Sequence, residues 1–97
     1  MTLHVALRDG FRNDTVTIKV NGKEVYRRSG VTTDLTISYA DSVEVPVEGT
    51  TVRLEVAVDG GQTGSEEVRV AETPFVAVRI LEGTMEFQKS KEQIPML

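Results

Sequence analysis

Apolar and polar side chains alternate with period two along almost the whole chain. On a strand, successive side chains point to opposite faces, so each such run reads as a half-buried strand. Leu3, Val5 and Leu7 share one face, with His4, Ala6 and Arg8 opposite. Asp9-Gly10 opens a loop that runs to Asp14. Two alternating runs then flank Asn21-Gly22, a pair suited to the positive φ angles of a two-residue hairpin turn. If those two residues form the turn, Lys19 pairs with Glu24, Ile18 with Val25, Thr17 with Tyr26 and Val16 with Arg27. The hairpin then has a dry face of Val16, Ile18, Val20 and Val25. Its wet face carries Thr17, Lys19, Glu24, Tyr26 and Arg28.

Beyond the hairpin, Ser29-Gly30 breaks the chain, and Leu35, Ile37 and Tyr39 predict the next strand. After a bend at Ala40-Asp41-Ser42 comes a run of Val43, Val45 and Val47. Pro46 cannot donate to a ladder, which confines this run to a sheet edge. Thr51–Asp59 is the longest alternating run and is expected to lie centrally. Gly60–Gly64 reads as a flexible loop before a short strand around Val68 and Val70. Phe75–Glu82 is apolar on both sides, as in strands covered on both faces. Glu82-Gly83-Thr84 turns the chain into a last strand at Met85–Gln88. No segment reads as a helix of useful length.

A lone hairpin is marginal in water, so the dry faces must pack on one another. About seven to nine short strands, spaced by Gly, Asp, Asn and Pro, predict a single antiparallel β-sandwich over residues 1–88 with Greek-key connections. A small β-barrel is the alternative. The spacing is similar in a general way to immunoglobulin-like and fibronectin-like modules over most of the chain, although Cys and Trp are both missing. Residues 89–97 are left as a tail, either disordered or docked on a partner or neighbouring chain. Within it, Ile94, Met96 and Leu97 are unusual for a merely solvated segment.

Composition narrows the chemistry. The chain has 97 residues, 39% of them hydrophobic and 27% charged, as in a folded domain rather than a disordered one. With no cysteine there are no disulfides, thiolate nucleophiles or Cys-based zinc sites. No apolar run approaches the length of a membrane-spanning helix, and the N-terminus lacks the pattern of a secretory signal, so a cytoplasmic location is the expectation. Net charge is −4, yet residues 1–30 hold six basic against three acidic side chains, and residues 31–88 hold three against eleven. That division suits charge pairing within one fold or an electropositive hairpin meeting an acidic surface. So few clustered cations make nucleic acid an unexpected partner.

His4 is the only histidine, and no serine stands in a nucleophile-elbow context, so catalysis is not expected. Asp9, Asn13 and Asp14 share a loop and could offer oxygens to calcium, although Arg12 intrudes and turn capping explains the same residues. Phe11 in that loop could present a ring to a sugar. Gly60–Gly64 lacks the lysine of a phosphate loop. Tyr26, Arg27 and Arg28 suit a protein contact, because Tyr and Arg dominate interface hot spots. The expected function is therefore a non-catalytic interaction or structural module, with no cofactor, that binds another protein or its own copies. Its partner-binding residues would be Tyr26, Arg27, Arg28, Ile94, Met96 and Leu97. The alternative is a loop-based binder of calcium with lipid, or of carbohydrate.

Overall fold

The computed structural model describes residues 1–92, and these form an all-β sandwich of eight strands in two sheets. The strands are β1 (Thr2–Leu7), β2 (Asp14–Val20), β3 (Lys23–Val31), β4 (Asp41–Pro46), β5 (Thr51–Val58), β6 (Thr63–Arg69), β7 (Phe75–Leu81) and β8 (Thr84–Ser90). One sheet has the order β4-β1-β7-β8 and the other β3-β2-β5-β6. The described residues include no helix able to cross a membrane.

The core follows from the alternation. Leu3, Val5 and Leu7 of β1, Val16 and Ile18 of β2, Val52, Leu54 and Val56 of β5, and Val76 and Val78 of β7 are buried between the sheets. Each fully buried aliphatic side chain contributes roughly 1.5–3 kcal/mol of transfer free energy, and these come from the four interior strands. Ala77 is also buried, on the outward side of β7. Pro46 lies at the end of edge strand β4, where the missing N–H costs no ladder bond.

Several expectations need correction. Leu35–Tyr39 is not a strand. Asp34 and Tyr39 form an isolated bridge around a turn, because the Asp34 carboxylate accepts from the Thr36 N–H at 2.9 Å and Ser38 adopts a φ of 52°. Gly60–Gly64 is not a long loop. Val58 N–H donates to the Gln62 carbonyl, and Thr63 already pairs with Ala57. Lys89 and Ser90, expected in the tail, pair with Val76 and Phe75. One pairing, β1 with β7, is parallel while the others are antiparallel. Parallel neighbours need a long connection, and the five intervening strands supply it.

The hairpin departs from its expected register after two pairs. Lys19 does face Glu24, but Ile18 faces Tyr26, Thr17 faces Arg27 and Val16 faces Arg28. Val25 is the extra residue of a β-bulge. A shift of one residue exchanges the faces of everything beyond it. Tyr26 and Arg28 therefore lie on the inward side of β3, and Arg27 lies outward.

Candidate contact surfaces

Tyr26 and Arg28 close one flank of the sandwich. Tyr26 is half-buried and packs on the core. Its hydroxyl donates to Asp41 Oδ2 at 2.8 Å, and Arg28 Nη1 donates to the same oxygen at 2.9 Å. Asp41 begins β4, so this clasp joins the two edge strands β3 and β4 across the gap between sheets. Burial raises the Tyr26 phenol above its ordinary value, and the hydrogen bond and charge of Asp41 add to that, while Arg28 opposes it. Arg27 sits 3.8 Å from Glu24 on the solvated side. The three residues nominated together on the hairpin are thus divided between two faces, and two of them are engaged within the fold.

The opposite flank is closed between β6 and β8. Gly64 faces Phe87 and Met85, and a Cβ there would stand 2.8 Å from the Phe87 ring and 3.0 Å from the Met85 sulfur. Outside that contact, Lys89 Nζ lies 3.9 Å from the Glu66 carboxylate and donates to the Glu67 carbonyl at 3.4 Å.

The β1–β2 loop forms a folded corner. Phe11, the nominated sugar platform, is only 1% exposed. Its backbone N–H donates to Thr33 Oγ1, its carbonyl accepts from Thr33 N–H, and Thr33 Oγ1 donates to the Arg8 carbonyl. Asp14 Oδ2 caps the Arg12 N–H at 2.9 Å, Asn13 N–H donates to Thr32 Oγ1, and the Asp9 carbonyl accepts from Ile80 N–H. Asp14 thus caps the turn locally, while Asn13 and Asp9 tie the loop through their backbone to Thr32 and to β7. Among the described residues, no three histidine or acidic side chains gather closely enough to hold a metal ion.

Two surface features emerge that the sequence did not nominate. The first is the loop from Thr32 to Ala40, which places Leu35 at 87% exposure and Ile37 at 38%. Its base is braced: Thr33 N–H donates to Phe11 O, Asp34 N–H to Tyr39 O, Ala40 N–H to Leu7 O, and Arg8 Nε to Ser38 O at 2.9 Å. The second is a groove of about 320 Å³ on the outer side of the β4-β1-β7-β8 sheet. At one end, His4 stacks on Phe75 with ring centroids 4.4 Å apart, and its Nδ1 lies 3.3 Å from Glu44 Oε1. Arg8 and Tyr39 line the groove with them, and the Tyr39 hydroxyl donates to Ser42 Oγ at 2.8 Å. Ala6 keeps the groove open between His4 and Arg8 because its side chain is short.

The groove depends on the parallel pairing of β1 with β7, which sets His4 opposite Phe75. Its only sequence signal is the small residue Ala6 among larger outward-facing neighbours. The nominated Ile94, Met96 and Leu97 lie outside the described residues.

The architecture and these surfaces define the class as a two-sheet all-β sandwich with a braced apolar loop and a shallow groove on one face. Compared with known proteins, the chain matches no family model, no curated protein and no solved structure.

Proposed function

We propose that this protein is a non-catalytic contact module, used in the manner of immunoglobulin-like sandwiches, whose contact element is the Thr32–Ala40 loop. The observation that carries this reading is Leu35, 87% exposed at the tip of a loop whose base is hydrogen-bonded from several sides. A single exposed leucine on a mobile loop is ordinary. Here two apolar side chains, Leu35 and Ile37, project from a backbone held before any encounter. Such preorganisation lowers the ordering cost of association, because fixing a free backbone costs roughly 1–2 kcal/mol per residue and this one is already held. Burying one leucine against a partner then contributes roughly 1.5–3 kcal/mol.

The other faces offer less. The outer side of the β3-β2-β5-β6 sheet presents Arg27, Lys19, Glu55, Arg53 and Glu67, a polar surface whose charges pair locally. The partner is a polypeptide with an apolar recess, another copy of this chain included.

A photo-crosslinking residue placed at Leu35 tests the reading against one placed at Lys19, both in the cell that makes the protein. We expect a discrete adduct from position 35 and none from position 19, and loss of the adduct when Ile37→Ser is added. Equal adducts from both positions, or none from position 35, would overturn it.

A further inference from the structure

We infer that the Lys89–Glu66 pair guards the β6–β8 flank, keeping a second copy of this chain from adding a strand to either sheet edge. The inference goes beyond the contact role of the Thr32–Ala40 loop and does not depend on it. Among the described residues, β4 and β8 are the edges of one sheet, and β3 and β6 of the other. Each edge strand carries a charged side chain beside a core residue in its ladder. Asp41 stands beside Leu7, Lys89 beside Val76, Arg28 beside Val16 and Glu66 beside Leu54. Those four core residues are at most 1% exposed. Register partners share a face, so all four charges point inward, between the sheets. They meet as two pairs of opposite sign, one at each flank: Arg28 with Asp41 at 2.9 Å and Lys89 with Glu66 at 3.9 Å.

An unpaired edge is a template for a further strand, and an inward-pointing charge is one of the devices that blunt it. The β3–β4 flank has two more such devices, the Val25 bulge in β3 and Pro46 at the end of β4. The β6–β8 flank has neither. Its strands are seven residues each, hold no proline, and pair with β5 and β7 without a register shift. What the pair opposes there is association of like with like. Met85 and Phe87 pack on the core from β8, so two copies joined β8 to β8 would run one apolar interior into the next. The Lys89 and Glu66 side chains are 38% and 36% exposed, and they reach water through the mouth of the flank. A strand added to β6 or β8 would cover that mouth and strip water from both charges, a cost that a 3.9 Å contact does not offset. Lys89 Nζ also donates to the Glu67 carbonyl, so the same ammonium holds a backbone acceptor of β6.

Light scattering and far-ultraviolet circular dichroism of full-chain variants test this. Glu66→Gln/Lys89→Gln removes both charges without adding apolar surface. We expect it to keep the parent's β spectrum, and its mass to rise with concentration beyond the parent's. Glu66→Leu/Lys89→Met should move further in the same direction. The swap Glu66→Lys/Lys89→Glu keeps a pair of opposite charges at the same place and should hold the parent's mass. Parental mass in the glutamine variant would overturn the proposal, because association of the apolar variant alone would reflect only its added apolar surface. Association of the swap equal to that of the glutamine variant would overturn it as well. So would association that a further Leu35→Ser change abolishes, because the contact would then lie at the Thr32–Ala40 loop.

Discussion

Asp41 accepts from both Tyr26 and Arg28 through one oxygen, and this joins two edge strands that share no ladder. The phenol is the donor, so its ionisation removes a hydrogen bond and sets a phenolate against a carboxylate. The pH dependence follows from the raised pKa of Tyr26 in the fold. A group whose folded value exceeds its unfolded value, about 10 for tyrosine, stabilises the fold fully below that pH. The contribution is lost as pH rises above it, because the unfolded chain then releases the proton more readily. Thermal melts between pH 8 and 12 should show stability falling above about pH 10, and Tyr26→Phe should flatten that fall. An identical alkaline decline in the variant would remove Tyr26 from the clasp. Arg28 is largely exposed, so its ion pair adds little by itself.

At the scale of elements, alternation carried the strands and failed at two devices that break it. Leu3–Leu7 and Thr51–Val58 show their buried faces directly in the sequence, because each is an interior strand with one side on the core. Phe75–Leu81 is apolar on both sides, and contrary to the expectation of cover on both faces its outer side leaves Arg79 and Leu81 exposed. The Val25 bulge is different. Two adjacent residues, Val25 and Tyr26, both pack on the core, and a strict period of two cannot hold neighbours on one face. That adjacent apolar pair in an otherwise alternating run was the available signal. Leu35, Ile37 and Tyr39 mimic a strand, but the Asp34 carboxylate competes locally for backbone N–H and wins a turn instead. The Thr32–Ala40 loop was therefore invisible as a loop until its hydrogen bonds were known. Because Leu35 is 87% exposed, Leu35→Ser should leave the melting temperature within about 2–4 °C of the parent, as for surface changes within ±0.5 kcal/mol. A large drop in a differential scanning calorimetry trace would show that Leu35 serves the fold instead of a partner.

Across the whole molecule, the two flanks are closed by different physics. The β3–β4 flank uses a polar clasp around Asp41, whereas the β6–β8 flank uses close approach at Gly64. Tertiary distances of this kind are not readable from strand patterns, since they depend on which edge strands face each other. Gly64→Val should drive side-chain atoms into Phe87 and Met85 and cost about 1–3 kcal/mol, as overpacking does. Chemical denaturation would register this as a lower midpoint with an unchanged slope. An unaltered midpoint would mean that the flank is looser than the geometry states. The charge asymmetry along the sequence also resolves at this scale. Arg28–Asp41 links the basic segment 1–30 to the acidic segment 31–88, whereas Arg79–Glu86 pairs within the acidic segment and Lys89 meets Glu66 across the β6–β8 flank.

The proposed contact role rests on a loop that is open to water in its side chains yet held in its backbone. Amide hydrogen exchange across Thr32–Ala40 measures that combination most directly. The account predicts strong protection at Thr33 and Asp34, whose N–H groups donate to Phe11 and Tyr39 carbonyls, comparable with neighbouring strand amides. Exchange of both amides at the rate of an unstructured peptide would contradict it, because Leu35 and Ile37 would then sit on a segment with no fixed surface to offer.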